Sequence, residues 1–418
     1  YIDLDERLVY STNTQYGGNT IGLKKLALRL AIGKADREGW LAEHMLVMGV
    51  GGPGGRVSYF TGAFPSACGK TSTSMAPGES IIGDDIAYLR RIDGAVRAVN
   101  VEKGVFGIIR DKNMEDDPIT CRALGEPGEI IFSNVLIDPD GVPYWLGKDG
   151  PCPEEGVNFQ GSWRTGITEE DGKEIPHSHP NARYTIRLTD LPNCDDRLDD
   201  PAGVAIAGVI YGGRDSDTWV PVEQAFDWVH GIVTKGASLE SETTAATLGE
   251  EGVRRFNLMA IMDFVAIPLG RYVQNNLEFC ADLAEPPLVF GVNYFLRGED
   301  GGYLNAIPDK RVWLKWMERR VHGEAGAIRT PTGLIPEYPL LHELFRSVLD
   351  KDYSREDYEE QFATRVPQHL QKLERIENIY RTQVDDTPET VFQVIADQRK
   401  RLQKAQADLG DVISPFAF

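Results

Sequence analysis

Val57-Ser58-Tyr59-Phe60, then Phe64-Pro65-Ser66-Ala67-Cys68-Gly69-Lys70-Thr71, then Ser80-Ile81-Ile82-Gly83-Asp84-Asp85, is the stretch on which the reading of the fold turns. An apolar segment runs into a Gly-Lys-Thr triplet, and the next short apolar strand ends in two carboxylates. After a strand, Gly69, Lys70 and Thr71 place backbone N–H groups, an ammonium and a hydroxyl at a helix N-terminus, where polyphosphate and its cation are held. Asp84 and Asp85 supply the carboxylates that P-loop folds use beside those phosphates. The full GxxxxGK(S/T) pattern is not met: Phe64 stands where the first Gly belongs, and Gly62 lies two residues too early. Alone, the triplet therefore suits an ordinary helix start as well as a phosphate site. By the same token, Asp84-Asp85 suits an acidic turn capping a helix from Ile86.

Working outward, Leu46-Val47-Met48-Gly49-Val50 reads as a buried strand followed by the glycine-rich turn Gly51 to Gly55. Upstream, Ile2, Leu4, Leu8 and Tyr10 alternate as a strand, Tyr16-Gly17-Gly18-Asn19 is a turn, and Lys24 to Ile32 is helix-like. Downstream, about 110–201 is rich in Pro, Gly and Asp, yet apolar runs such as Ile130 to Leu136 interrupt it, so a β-rich insertion is expected. Val204 to Tyr211 gives another buried strand, ending at Gly212-Gly213-Arg214. Glu240 to Val253 has the small side chains of a mobile loop. Leu340 to Leu409 carries charged amphipathic patterns of surface helices. Strands alternating with helices around a phosphate loop make the class α/β.

With 418 residues, 41% of them apolar, the chain can bury a large core, and two lobes with a cleft are expected. Sixty-four acidic against 44 basic residues give a net charge of −20, which argues against nucleic-acid or anionic-membrane binding. Anionic substrates must then be met by local clusters of Lys and Arg. Cys68, Cys121, Cys152, Cys194 and Cys280 are odd in number and never form a CxxC pair, so neither a disulfide framework nor a zinc site is signalled and a reducing cytoplasm fits. No apolar run reaches the length of a membrane span, and the start lacks a signal-peptide pattern. Because the chain opens without Met in what reads as a strand, further sequence on its N-terminal side is expected.

The segment Phe64 to Thr71, with a cysteine just before its Gly-Lys-Thr, resembles the phosphate loop of GTP-type phosphoenolpyruvate carboxykinases. The resemblance runs in order through Tyr16-Gly17-Gly18-Asn19 with Lys24-Lys25, Glu43-His44-Met45, Gly83-Asp84-Asp85-Ile86-Ala87, His179-Pro180-Asn181-Ala182-Arg183 and Gly212-Gly213-Arg214. It continues through Ala225-Phe226-Asp227-Trp228, Val292-Asn293-Tyr294-Phe295 and Thr330-Pro331-Thr332-Gly333-Leu334-Ile335-Pro336, covering nearly the whole chain.

The resemblance implies a P-loop nucleotide-binding fold with mixed sheets, a β-rich insertion and C-terminal helices. It makes 1–45 the end of a substrate-binding domain, 46–418 the nucleotide-binding catalytic domain, and about 238–253 its lid. It implies that Lys25, His44 and Asp85 bind a catalytic Mn2+, with Thr71 on a nucleotide-bound Mg2+ or Mn2+. A nitrogen-plus-carboxylate set suits Mn2+, and Lys25 must be neutral to donate a lone pair, which the metal and Lys24 would favour. Lys70 falls on the β/γ-phosphates, within a nucleotide-binding set of Ala67, Cys68, Gly69, Lys70, Thr71, Ser72, Arg214, Phe295 and Tyr303. Gly17, Gly18, Asn19, Ser66, Asn181 and Arg183 fall on the substrate, with Cys68, Lys70 and Arg183 at the catalytic centre. Read from the residues alone, Cys68 suits a small packing role better than that of a nucleophile, although a thiolate beside Lys70 would be activated and open to oxidation. The implied partners are oxaloacetate, phosphoenolpyruvate, CO2, GTP and GDP, acting on a cytoplasmic monomer. Ile307 replaces a usual aromatic and Lys310 the base-reading asparagine, so ATP, ITP or a non-nucleotide donor stays open, as does a P-loop kinase without decarboxylation.

Overall fold

The computed structural model describes residues 2–6, 8–9, 20–243 and 252–418. Its centre is an eleven-stranded mixed sheet. Strand Val204–Gly212 lies in the middle, parallel to both Val57–Ala63 and Leu288–Val292. Leu46–Gly51 and then Ser80–Gly83 extend one side antiparallel, while Val222–Gln224, Leu334–Pro336 and Ala327–Arg329 extend the other. A branch of Leu41–Glu43, Ala87–Ile92 and Ala95–Asn100 rejoins the sheet at Val204.

The apolar strands read as continuous runs because both faces are covered, and the pleat sorts them with period two. Leu46, Met48 and Val50 face one core with Phe60, Ile210, Trp313 and Trp316, whereas Val47 faces the other with Val209 and Tyr211. Helix Lys310–Val321 covers the first face, and helices Thr20–Glu38, Val366–Gln383 and Glu389–Leu409 cover the second. Strands Gly104–Ile108, Ile130–Ser133 and Arg183–Arg187 form a separate three-stranded sheet around Val105, Ile109 and Tyr184. A four-stranded sheet within 136–164 adjoins it in sequence. Helices Tyr338–Leu349, Arg355–Phe362, Val366–Gln383 and Glu389–Leu409 occupy the C-terminal region where amphipathic patterns are read.

Asp84-Asp85 does not cap a helix: the chain passes into strand Ala87–Ile92, because Leu41–Glu43 and Ala95–Asn100 pair with both of its edges. Strands Glu240–Glu242 and Arg254–Phe256 pair antiparallel, and the tip of the expected lid, 244–251, lies outside the described residues, as does Tyr16-Gly17-Gly18-Asn19. Among the described residues no helix is long and apolar enough to cross a membrane.

Lys372 is 4% exposed on helix Val366–Gln383, its ammonium 3.9 Å from the centre of the Trp219 ring. Burial, partly offset by Glu240 and Asp215, pushes it down to about 8. The unfolded chain therefore binds the extra proton between about pH 8 and the ordinary lysine value, and folding gains stability as pH rises through that window. In chemical denaturation, Lys372→Met is expected to gain most relative to the parent below pH 8. That advantage should shrink as pH approaches 10.5; a difference independent of pH would refute the burial penalty.

Candidate active site

The phosphate loop joins strand Val57–Ala63 to helix Lys70–Ser74. Phe64 departs from the phosphate-loop pattern because its ring enters the core, 1% exposed and 6.3 Å from the Tyr294 ring. Burying such a ring contributes about 1.5–3 kcal/mol. The space comes from Gly212, where a Cβ would lie 2.1 Å from Phe64. Gly69 has φ of +100°, and a Cβ there would also strike Tyr294 at 2.9 Å, so the turn into the helix requires glycine. Ser66 and Ala67 are exposed at the tip of this loop, and Ser72 Oγ donates to Gly69 O at 3.1 Å.

Two antiparallel pairings bring His44 to Asp85. Glu43 pairs with Ala87 and Val47 with Gly83, so residues 44 and 45, between two strands, come to lie opposite 84–86. His44 Nε2 lies 2.8 Å from Asp85 Oδ1, and its Nδ1 lies 2.8 Å from Ala260 O. Burial first, then the charge of Lys24, pushes His44 down to about 3, so the ring is neutral. A carbonyl only accepts, which assigns the ring proton to Nδ1 and leaves the Nε2 lone pair facing a carboxylate oxygen. Two acceptors at that distance call for a cation between or beside them. Lys70 Nζ stands 3.1 Å from Nε2 and is ion-paired with Asp85.

Lys24 completes the ion-paired cluster on Asp85, whereas Lys25 lies 3.4 Å from Asp263 and over the Phe264 ring. The structure thus brings together His44, Asp85 and Lys70 of the residues singled out in the sequence, with Lys25 at the margin of the cluster, over the Phe264 ring that packs against His44 and with its charge felt at His44. Successive residues of an α-helix point about 100° apart, so Lys24 and Lys25 approach the site from different directions. Burial lowers the Lys24 ammonium, against the opposing pull of Glu102 and Asp84. Thr71 Oγ1 donates to Asp84 Oδ2 at 3.1 Å and Ser74 Oγ to Oδ1 at 3.2 Å. Glu102, with burial pushing it up to about 7, accepts from Ile86 N at 3.1 Å. Lys24 entered the sequence reading only as the neighbour of Lys25, and Glu102 carried no signal, since it follows a strand with no motif around it.

Cys68 is buried, its Sγ 3.0 Å from Ser241 Oγ, and burial pushes the thiol up. Cys68 is thus a packed thiol, the packing role that the sequence suggests, rather than an activated thiolate. Arg183 extends from the insertion's three-stranded sheet, donates from Nε to Asn181 Oδ1 at 3.1 Å, and its charge is felt at Lys24. Arg214 follows the central strand. Its guanidinium stacks 3.6 Å from the centre of the Phe295 ring, donates to Ala67 O at 3.1 Å and to Tyr303 Oη at 3.1 Å, and leaves Nε buried without a partner.

As a donor set, one neutral imidazole nitrogen, one carboxylate and flanking amines fit a borderline divalent cation better than an all-oxygen cage would. Among the described residues no group of three or more His, Cys, Asp or Glu could hold a metal ion, so nitrogen from lysine, water or substrate must complete any sphere here.

Residues 40–401 match the family model described as phosphoenolpyruvate carboxykinase C-terminal P-loop domain, and residues 1–36 match that of the N-terminal domain. The chain is 59% identical over 417 residues to "Phosphoenolpyruvate carboxykinase (GTP)" of Pyrococcus horikoshii, covering 100% of this chain and 67% of that protein. It is 57% identical over 418 residues to the protein of the same name from Thermococcus kodakarensis, with the same coverage. Against that of Saccharolobus solfataricus it is 49% identical over 415 residues, covering 99% of this chain and 67% of the relative. The chain spans about two thirds of the length of these relatives.

Proposed function

The chain belongs to the GTP-dependent phosphoenolpyruvate carboxykinases, carboxy-lyases that interconvert oxaloacetate and GTP with phosphoenolpyruvate, CO2 and GDP, and from that premise we propose how its residues share the work. The observation that carries the assignment is the convergence of Lys70, from the phosphate loop, with His44 and Asp85, from two other segments, within one hydrogen-bonded cluster.

The triphosphate lies over Ala67 to Ser72, with Lys70 against the β/γ oxygens and the free Nε of Arg214 donating to a phosphate. His44 and Asp85 hold the catalytic metal, Mn2+ by the nature of the donors, with an amine from Lys25 or Lys24. Thr71, beside Asp84, serves the nucleotide's Mg2+ or Mn2+. Bound there, the catalytic ion supplies Lewis acidity toward charge developing on the substrate oxygen. Ser66, Asn181 and Arg183 orient the substrate carboxylates, together with Gly17, Gly18 and Asn19.

In the first step the bond between the carboxylate carbon and the adjacent methylene breaks, CO2 leaves, and its electron pair becomes the enolate. In the second the enolate oxygen bonds to the γ-phosphorus, the bond to the β-phosphate oxygen breaks, and GDP leaves. Lys70 offsets the charge that builds on the transferring oxygens, and the neutral His44 keeps its proton on Nδ1 throughout. No side-chain nucleophile takes part, consistent with a thiol at Cys68. Residues 1–45 are the end of the substrate domain, 46–418 the catalytic domain, and 238–253 the lid that shuts out water. The protein acts as a cytoplasmic monomer.

The test uses the full chain with oxaloacetate, GTP and Mn2+, following phosphoenolpyruvate and, by electron paramagnetic resonance, free Mn2+. His44→Ala is expected to weaken Mn2+ about 10- to 100-fold and to lower turnover with it. Mn2+ affinity and turnover both equal to the parent's would remove His44 and its neighbours from the centre.

A further inference from the structure

The guanidinium of Arg214 is held by Ala67 O, Tyr303 Oη and the Phe295 ring, and its backbone is held as closely. Its N–H donates to Ser241 Oγ at 3.2 Å, and its carbonyl accepts from Glu242 N at 2.9 Å. Both partners belong to strand Glu240–Glu242, which runs so near the turn that a Cβ on Gly213 would lie 2.6 Å from Glu240 O. Ser241 Oγ also lies 3.0 Å from Cys68 Sγ, so this one strand touches both the phosphate loop and the arginine beside it.

Charge draws that strand onto the turn. Glu242 pairs across the ladder with Arg254, and residues directly opposite share a face. A single guanidinium nitrogen, Arg254 Nη2, donates to Asp217 Oδ1 at 2.7 Å, Glu242 Oε1 at 3.1 Å and Asp215 Oδ1 at 3.2 Å. Glu242 Oε1 accepts as well from Ser216 N at 3.1 Å and Ser216 Oγ at 2.6 Å. Among the described residues no other cation is ion-paired with any of the three carboxylates. The Asp215 side chain is 3% exposed, so water screens little of its charge. Asp215 and Asp217 follow Arg214 on the turn, and Glu242 lies on the strand. Without the guanidinium, like charges on these two elements face each other and push them apart.

We propose that Arg254 is a positioning residue for nucleotide binding: by gathering Asp215, Asp217 and Glu242 onto one nitrogen it locks strand Glu240–Glu242 to the turn after Arg214, and so holds the Arg214 guanidinium where a phosphate meets it. This rests on the phosphate contact assigned above to the free Nε of Arg214. Arg254 acts only through Arg214. A long side chain loses rotamer freedom when it grips a ligand, and a backbone fixed beforehand leaves less freedom to lose.

The experiment is a double-mutant cycle on the full chain, reading GDP affinity by calorimetry with Mg2+ and, separately, Mn2+ affinity by electron paramagnetic resonance without nucleotide. Arg214→Gln and Arg254→Gln are each expected to weaken GDP about tenfold or more, the worth of a charge-assisted hydrogen bond, while Mn2+ binding stays close to the parent's. Combined, they should weaken GDP little beyond Arg214→Gln alone, because Arg254 then has nothing left to position. Arg254→Lys, which keeps one charged nitrogen for the carboxylates, should lose less than Arg254→Gln. Should Arg254→Gln not fold, Glu242→Gln, which keeps an acceptor for Ser216 and drops the charge, must show the same non-additivity with Arg214→Gln. Losses that multiply, GDP affinity unchanged by the variant at 254 or its substitute at 242, or an equal fall in Mn2+ affinity overturns the proposal. Arg214→Gln binding GDP as the parent does would instead sink the phosphate contact itself, and the role of Arg254 with it.

Discussion

Asp85→Asn is expected to lower kcat/KM for oxaloacetate with GTP and Mn2+ by about 10^3-fold or more. The carboxylate is ion-paired with both Lys24 and Lys70 and lies 2.8 Å from His44 Nε2, so it is the anion around which the cluster assembles. Its side chain is 9% exposed, and in so dry a setting water cannot replace the lost charge. The amide keeps the shape but neither balances two ammonium groups nor ligates a cation as strongly. GDP affinity, measured separately, should fall far less than kcat/KM, since the phosphate contacts proposed for Arg214 and the loop backbone remain when only the Lys70 ion pair is lost. A kcat/KM loss below tenfold would take Asp85 out of the centre.

Lys235→Met is expected to cost about 3–5 kcal/mol of folding stability, read as a shift in the denaturation midpoint. Lys235 and Glu223 form an ion pair with side chains 3% and 6% exposed. Glu223 also accepts hydrogen bonds from the hydroxyls of Thr332 and, at 3.4 Å, Thr330. Removing the ammonium leaves a carboxylate buried with two hydroxyls, whereas removing both charges relieves the penalty. The double variant Lys235→Met with Glu223→Leu should therefore recover most of the loss. Equal destabilisation in the single and double variants would show that packing, not charge pairing, sets the cost.

That pair also explains a motif that the sequence offered without a role. Thr330-Pro331-Thr332-Gly333 folds as a turn whose hydroxyls and backbone wrap Glu223, fastening the Leu334–Pro336 edge of the sheet to strand Val222–Gln224. Its neighbour in the pattern, Ala225-Phe226-Asp227-Trp228, caps a helix through Asp227 accepting from His230 N at 2.8 Å. Both are scaffold for the central sheet.

The phosphate loop, its acidic partner strand, the apolar strands and the C-terminal helices were legible because they depend on local order: residue type, spacing and periodicity within a few residues. The strand after Asp85 was not legible locally, since its edges are satisfied by 41–43 and 95–100, neither of which Ile86 and its neighbours specify.

From the order of residues alone follow the chemistry available to this protein, a phosphate cradle with imidazole, carboxylate and amine donors, and the family to which it belongs. Which donors meet was decided by tertiary structure. Two antiparallel registers set His44 against Asp85, and the rotational phase of one helix turned Lys24 inward and Lys25 toward Asp263. The reason is geometric: a side chain's direction is fixed by the pairing and packing of its whole element, and those partners lie tens to hundreds of residues away.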